Sequence, residues 1–239
     1  MRITVLTLFP EMYENFLQTS VFGRAISRGL VSVDFVQIRD FAPGNYKHVD
    51  DTPYGGGAGM VMKCQPVIDA LNSIRTDASH VVLTSANGIP YTQKKARELS
   101  QKEHLVILCG HYEGMDARIE TFTDEQVSIG DYVLSGGELA SMVIMDSVVR
   151  LLKGAIRDES ISEESYENGL LEYPQYTHPA EYAGMQVPEV LLSGNHAKIR
   201  EYRLRESLRL TKERRPDLLE KRVLSDEEIR LLKETEEDD

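Results

Sequence analysis

The chain has 239 residues and a formal net charge of −12 at pH 7. This acidic balance disfavours a protein that binds nucleic acid non-specifically, because it repels phosphates. The first apolar run is interrupted by Pro10 too early for a secretory signal, and no apolar run approaches the ~20 residues of a membrane span. Cys64 and Cys109 lie far apart, which indicates reduced thiols in a cytoplasmic protein.

Strand-like and helix-like patterns alternate along the first part of the chain. Apolar or alternating runs predict β-strands over residues 5–9, 31–38, 80–84 and 105–109. Apolar residues at helical spacing predict helices over residues 11–28, 65–74, 91–99 and 139–152. Gly29 is expected to end the first helix, and residues 86–88 to form a turn. This alternation predicts an α/β domain with a mainly parallel sheet.

Segment 139–152 is apolar on nearly every face, which is typical of a helix buried in a domain or in an oligomer interface. Asp146 and Arg150 lie four residues apart within it, so they can pair on one face. Beyond it, residues 157–168 are polar and acidic without a period, which predicts a linker that orders only with a partner. We therefore divide the chain near residue 160.

The C-terminal part departs from the overall negative charge. Residues 196–222 hold ten basic and five acidic side chains, a net charge of +5, on a helical pattern. Such a local basic patch favours contacts to phosphates. Because the acids are interleaved with the bases, a solvated amphipathic helix is the alternative interpretation.

Three glycine-bearing segments adjoin apolar runs, at residues 54–60, 108–116 and 128–138. Glycine admits backbone conformations and close approaches that a Cβ forbids. Three such loops in an α/β chain indicate bare backbone converging on a small molecule. A tight strand–turn–helix junction without a ligand is the alternative for the last of them. The apolar residues of that segment expected to be buried are Ile129, Val133 and Leu134.

The sequence lacks the motifs of several common catalytic and binding sites. The six histidines are scattered, and none is paired with a cysteine or carboxylate at zinc-ligand spacing. The chain has no GxSxG elbow, no GxxxxGK[ST] phosphate loop and no GxGxxG followed by a ribose-binding acid. The glycine segments therefore remain the strongest local signal, but by themselves they name no ligand.

Six blocks of the sequence together resemble the bacterial tRNA (guanine-N1)-methyltransferases. They are LTLFPEM, VDDTPYGGGAGM, LCGHYEGMDARI, SIGDYVLSGGE, GLLEYPQYTHP and VPEVLLSGNHAKIREYR. The resemblance runs in consistent order from residue 3 to about residue 222. It implies methylation of the guanosine at tRNA position 37, beside the anticodon. It also implies a sheet domain tied in the deep trefoil knot of the SPOUT methyltransferases, an exception to the rule that chains do not thread themselves.

The resemblance implies that the glycine loops wrap S-adenosylmethionine. The implied contact residues are Thr84, Ser85, Gly110, Ile129, Gly130, Asp131, Tyr132, Val133, Leu134, Gly136 and Gly137. Backbone groups can read an adenine edge where glycine lets them approach. An ordinary core aromatic is the alternative interpretation of Tyr132, and Cys109 is interpreted as a core residue. Dependence on Mg²⁺ is implied as well, although the sequence shows no preformed metal cage.

Methylation of guanine N1 requires a base, because N1 carries a proton. The family places an aspartate before Ser-Phe/Tyr in its linker, and the matching position here is Glu164, one methylene longer. Asp158 and Glu163 are alternatives, and a purely solvated acidic linker is another. The resemblance assigns Arg150 to stabilising charge near O6 and Glu113 to contact with the guanine.

The resemblance also implies domains and partners. It divides the chain into a knotted catalytic domain (1–159), a linker (160–173) and a helical tRNA-binding domain (174–239). It implies a homodimer in which the base of one subunit reaches the cofactor site of the other, with the 139–152 helix suited to the interface. Two rivals remain: a knotted methyltransferase acting on a different RNA, and a binding module that has lost its chemistry.

Overall fold

The structure, a computed structural model, describes residues 1–157 and 164–237, with side chains up to residue 235. The chain divides into two compact units. The first is Met1–Arg157, and the second is Asp158–Asp239.

The first unit is built on a five-stranded sheet with the strand order β2-β1-β6-β5-β7. Its strands are β1 (Arg2–Thr7), β2 (Ser32–Gln37), β5 (Ser79–Pro90), β6 (His104–Cys109) and β7 (Glu125–Ser128). All neighbouring strands of this sheet run parallel, which confirms the predicted α/β class and sheet. Two short strands, β3 (Asp50–Asp51) and β4 (Val61–Met62), form a separate antiparallel pair.

Helices cover both faces of this sheet. They are α1 (Glu14–Gln18), α2 (Ser20–Ser27), α3 (Cys64–Asn72), α4 (Gln93–Ser100) and α5 (Glu138–Val149). Side chains of the central strand β6 alternate between two apolar clusters, as strand geometry requires. Leu105 and Ile107 pack in the cluster that holds α5, and Val106 and Leu108 pack in the cluster that holds α3.

The predicted helix over residues 11–28 is wrong in its continuity. A 3-10 turn (Pro10–Tyr13) comes first, and α1 and α2 are then separated by the extended residue Thr19. Ser20, which begins α2, has a φ of 55° in the left-handed region. The predicted stop at Gly29 is confirmed, since its φ is 71° and its amide donates to the carbonyl of Ile26. A residue in the left-handed conformation ends a helix with little strain when it is glycine, because glycine has no Cβ.

Two further local predictions are wrong. Residues 86–88 do not end the third predicted strand, because β5 continues to Pro90. Its pairing with β7 instead shifts register between Thr84 and Ile89, so the predicted turn is an excursion within one strand. Val133 is 88% exposed rather than buried, while Ile129 and Leu134 are partly buried.

The second unit contains a short hairpin and several helices. The hairpin pairs β8 (Glu181–Tyr182) with β9 (Met185–Gln186). The helices described are α6 (Glu189–Leu192), α7 (His196–Arg214), α8 (Pro216–Glu220) and α9 (Asp226–Glu237). Leu208 of α7 and Leu231 of α9 are fully buried in one apolar cluster, which also contains Leu170.

The prediction of a linker without its own order is wrong for residues 164–168. The Tyr166 amide donates to the carbonyl of Leu170 at 2.8 Å, and the Glu172 amide donates to Ser165 Oγ at 2.9 Å. The Leu171 amide donates to Thr211 Oγ1 on α7 at 2.9 Å. Residues 164–172, the 164–172 turn, are therefore held in place by hydrogen bonds within the second unit.

Among the residues that the structure describes, none lies in a helix long and apolar enough to cross a membrane.

Candidate functional site

The main cavity of the first unit opens where β5 changes register and where β6 and β7 end. Its volume is about 370 Å³, within the usual range of small-molecule sites. Three segments line it, residues 83–87, residues 110–116 and residues 127–137 without Asp131, together with Glu120 and Ala140. Ligands of parallel α/β sheets bind outside the carboxyl ends of the strands, which is where this cleft lies.

Glycine at position 137 lets the start of α5 cross directly over the end of β6. A Cβ on Gly137 would collide with Thr84 Oγ1 and would lie 2.8 Å from the Cα of Cys109. The Gly137 amide donates to the carbonyl of Gly110 at 2.8 Å, which fixes this crossing. The close approach is the physical reason for a glycine here.

The floor of the cleft after β7 is shaped by Gly130 and Tyr132. Gly130 has a φ of 155°, and a Cβ on it would lie 2.5 Å from the Tyr132 ring. The Tyr132 amide donates to the carbonyl of Gly130 at 2.9 Å, so the loop turns back on itself. Tyr132 is 56% exposed beside the cleft, and its interpretation as a core aromatic is therefore wrong.

The structure brings nearly all of the predicted cofactor residues to this one cavity. Those that line it are Thr84, Ser85, Gly110, Ile129, Gly130, Tyr132, Val133, Leu134, Gly136 and Gly137. Asp131 does not line it and is exposed. Of the three glycine segments, residues 54–60 do not line it either, so the expected convergence holds for two of the three.

The 54–60 segment instead supports Glu113, which does line the cleft. A Cβ on Gly59 would collide with the Glu113 side chain. The Glu113 amide donates to the carbonyl of Met60 at 3.0 Å, and the Met62 amide donates to the carbonyl of Gly114 at 2.9 Å. The segment therefore acts on the cleft through the position of Glu113.

The charged side chains that line the cleft are acidic. They are Glu113, Asp116 and Glu120, and none of the described lining residues is lysine or arginine. Arg118 donates to both carboxylate oxygens of Asp116, at 2.9 and 2.6 Å. These bonds and the Arg118 amide lower the pKa of Asp116 to about 2. Because Arg118 compensates the charge of Asp116, the negative charge that the cleft offers its ligand comes from Glu113 and Glu120.

The thiol beneath the cleft has a structural role. Cys109 is fully buried in the core, as predicted, and both cysteines are free thiols. Burial raises the pKa of Cys109 to about 12, so the thiolate needed for nucleophilic chemistry does not form at neutral pH.

The predicted catalytic residues are not all brought together within one unit. Glu113 lines the cleft of the first unit. Arg150 is the C-cap of α5, at the opposite end of that helix from the cleft, and does not line the cavity. Glu164 begins the 164–172 turn of the second unit. The alternative bases Asp158 and Glu163 lie outside the described residues.

The second unit carries its own cavity of about 290 Å³ and a basic helix. Arg203 stacks over the Tyr173 ring, 4.7 Å from its centroid, at the wall of this cavity. Several bases are paired with acids, as in Arg200 with Glu227 at 2.8 Å. Other basic residues of the predicted patch are exposed, among them Lys198, Arg214 and Lys221. The patch is thus partly neutralised.

Sequence reasoning missed some lining residues. Asn87, His111, Asp116 and Glu120 were not singled out, although the first three lie in segments that were noted as turns or glycine loops. Glu120 follows those segments within a 3-10 turn and had no signal of its own.

The described residues include no group of three or more histidine, cysteine, aspartate or glutamate side chains that could hold a metal ion. Within residues 1–157 and 164–237, no protein cage for Mg²⁺ is therefore formed.

The fold and the cleft together define an α/β protein with a cleft of small-molecule size, lined by acidic side chains, at the carboxyl edge of a parallel sheet. The sequence profile described as tRNA (Guanine-1)-methyltransferase TrmD matches residues 1–221. The chain belongs to this family.

Named relatives agree with the family match. The chain is similar to the tRNA (guanine-N(1)-)-methyltransferase of Brevibacillus brevis, with 53% identity over 100% of this chain and 99% of the relative. It is similar to that of Dictyoglomus turgidum, with 48% identity over 98% of this chain and 96% of the relative. With that of Ruminiclostridium cellulolyticum it shares 54% identity over 92% of this chain and 97% of the relative.

Proposed function

We propose that this enzyme transfers a methyl group from S-adenosylmethionine to N1 of guanosine 37 of tRNA. Family membership carries the methyltransferase activity on tRNA guanine. The observation that carries the donor is the acidic, glycine-walled cleft at the carboxyl edge of the sheet.

The charge of the cleft suits this donor better than a phosphorylated cofactor. S-adenosylmethionine brings a sulfonium and an ammonium group, which carboxylates attract. A nucleotide phosphate would meet Glu113, Asp116 and Glu120 without a lysine or arginine among the described lining residues. The absence of a side chain at Gly110 lets a ligand approach the backbone of the cleft wall closely.

The reaction needs a base and a stabiliser of negative charge. As N1 attacks the methyl group, the N1–C bond forms, the S–C bond breaks and the N1 proton leaves to a base. We assign that base to Glu164, the stabilisation of charge near O6 to Arg150, and contact with the guanine to Glu113. In-line placement of the two bound reactants supplies much of the acceleration.

We propose that two copies of the chain complete the site. Leu139 and Val143 lie on α5 and are 52% and 47% exposed, although the rest of the helix is largely buried. An exposed apolar face of this kind suits contact with a second copy. In such a homodimer the Glu164 of one subunit would serve the cleft of the other.

The second unit is proposed to bind the anticodon arm. Its exposed bases Lys198, Arg214 and Lys221 suit phosphate contacts, and this assigns residues 174–239 to a helical tRNA-binding domain. Residues 1–159 then form the catalytic domain, residues 160–173 link the two, and the enzyme works in the cytoplasm, where its tRNA substrate is found.

We also propose that the sheet domain carries the deep trefoil knot of the SPOUT methyltransferases. The tight crossing of Gly137 over the end of β6 supports this topology. Because the described residues do not form a Mg²⁺ cage, we derive no step through Mg²⁺.

The test is methyl transfer from labelled S-adenosylmethionine to unmodified tRNA transcripts that differ only in having G or A at position 37. Label on the G transcript alone, mapped to N1 of that base, is the expected result. Label at another nucleotide would support the rival methyltransferase that acts on a different RNA. Binding of donor and tRNA without transfer would support the inactive binding module.

A further inference from the structure

A buried carboxylate stands behind the cleft. Glu138 is the first residue of α5, and only 1% of it is exposed. Its Oε1 accepts a hydrogen bond from Thr7 Oγ1 at 2.6 Å, and its Oε2 lies 2.7 Å from His111 Nε2. Thr7 is the last residue of β1 and is fully buried. The carboxylate therefore joins β1, α5 and the loop that follows β6.

His111 connects the buried Glu138 side chain to the wall of the cleft. It lines the cavity and belongs to residues 110–116, the loop that also carries Glu113. The hydrogen bond between Nε2 and Oε2 joins the ring directly to the buried carboxyl group. The ring packs at 5.0 Å from that of Phe9, and a Cβ on Gly136 would collide with it. The ring thus has little freedom to leave its place.

Stability alone gives little reason for this arrangement. Burying a carboxyl group is costly unless it is hydrogen-bonded, and replacing a buried hydrogen-bonded pair by apolar side chains of the same shape can be nearly neutral or stabilising. The start of α5 already has another anchor, since the Gly137 amide donates to the carbonyl of Gly110. A buried polar pair that touches the cleft on one side and the core on the other points to a positioning role.

We propose that Glu138 and His111 act as one positioning unit that sets the loop 110–116, and with it Glu113, for methyl transfer. The inference rests on the proposed function, because it concerns the geometry of that same site. Neither residue is assigned contact with the reacting atoms. Their effect on the reaction passes through the loop.

The test is a double-mutant cycle on the full-length enzyme with Glu138→Gln, His111→Ala and the double variant. Tyr91→Phe is the matched control, because Tyr91 bonds Ser147 on the same helix at 2.6 Å without touching the loop. For each variant we would measure kcat, KM for tRNA, calorimetric affinity for S-adenosylmethionine, the melting temperature and amide hydrogen exchange of residues 111–116.

Each single variant is expected to lower kcat on the order of tenfold or more, because small misplacements of reacting groups are costly. The double variant should lose no more than the worse single one, since members of one unit are not additive. Loop exchange should be faster in both single variants, and Tyr91→Phe should keep wild-type kcat.

Two kinetic results would overturn the proposal. One is losses of kcat that multiply in the double variant. The other is a Tyr91→Phe control that loses as much kcat as the Glu138 and His111 variants for an equal fall in melting temperature. The exchange measurement distinguishes failure of the positioning unit from failure of the proposed function. If the wild-type enzyme transfers no methyl to tRNA, the proposed function fails. Unchanged exchange of residues 111–116 in Glu138→Gln would overturn the positioning unit whether or not the enzyme is active.

Discussion

The side chain of Glu113 lies against the backbone of Gly59, with no space between them for a methyl group. Gly59 also has a φ of 79°, which disfavours any residue with a Cβ. We expect Gly59→Ala to displace Glu113 and to lower kcat on the order of tenfold or more. Steady-state methyl transfer and calorimetric binding of S-adenosylmethionine would measure the two effects separately.

Gly56→Ala is the matched control for this change. Gly56 has the same φ of 79°, but a Cβ there would meet nothing within 4 Å. Both variants carry a similar backbone strain of about 1 kcal/mol or more. Equal kcat for the two variants would show that contact with Glu113 does not matter.

The assigned base gives a second prediction. Glu164→Gln should be nearly inactive, because an amide cannot take up the N1 proton, whereas Glu164→Asp should remain active. Single-turnover transfer to the G37 transcript is the measurement, with tRNA affinity measured alongside. Wild-type activity in Glu164→Gln would show that another residue is the base, and Asp158 and Glu163 would be the next candidates.

The anchor of the 164–172 turn gives a third prediction. Thr211 accepts the Leu171 amide at 2.9 Å, and Thr211→Val removes that acceptor while keeping the shape of the side chain. We expect kcat to fall severalfold, because the turn that begins with Glu164 loosens, while S-adenosylmethionine binding in the first unit is unchanged.

Thr235→Val is the control for Thr211→Val. Thr235 is also buried in the second unit, but its hydroxyl donates to the Leu232 carbonyl of its own helix at 2.7 Å. If both variants lower kcat equally, the effect belongs to the stability of the unit rather than to the turn.

Arg150 gives a fourth prediction. Arg150→Ala should lower kcat on the order of 100-fold by loss of charge stabilisation, with donor affinity nearly intact because Arg150 does not line the cleft. Rates at saturating tRNA, together with calorimetry, make this comparison. An unchanged kcat would remove Arg150 from the mechanism.

His104 gives a prediction about stability and pH. Its ring is buried between Thr4 Oγ1, at 2.9 Å from Nε2, and Ser79 Oγ, at 2.8 Å from Nδ1. Burial is the largest cause that lowers the pKa of His104, and the positive charge of Arg2 lowers it further. The negative charge of Asp34 acts in the opposite direction. Below pH about 6.5 the unfolded chain therefore binds a proton that the folded chain does not.

The free energy of unfolding should accordingly fall as the pH falls below about 6.5. His104→Gln keeps a donor and an acceptor but does not titrate, so its stability should fall less steeply over the same range. Chemical denaturation between pH 7.5 and 5 would measure the difference. Parallel curves for the two proteins would contradict the assignment.

Local patterns predicted four of the five strands of the sheet and most helices of the first unit, but they did not predict β7. β6 is recognisable from its apolar run because a central parallel strand is buried on both faces. Gly29 was recognised as a helix end because a left-handed residue there is most often glycine. The cleft residues Gly110, Gly136 and Gly137 were found through their family blocks, and the structure places them in one cavity.

What the sequence could not supply depends on contacts distant along the chain. Glu138 and His111 are 27 residues apart, and no local pattern indicates that they meet. The order of the 164–172 turn depends on Thr211, 40 residues beyond Leu171. Its acidic composition alone indicated a disordered linker. Val133 was predicted to be buried from its hydrophobicity, but it lies at the rim of the cleft and is exposed.

Amide hydrogen exchange with and without saturating S-adenosylmethionine tests the central claim most directly, since it locates the donor without any mutation. We expect slower exchange in residues 84–87, 110–116 and 129–137 and no change around the second cavity at Tyr173, Tyr176 and Arg203. Protection confined to that second cavity, or none in the cleft at full occupancy, would contradict the assignment of the donor site.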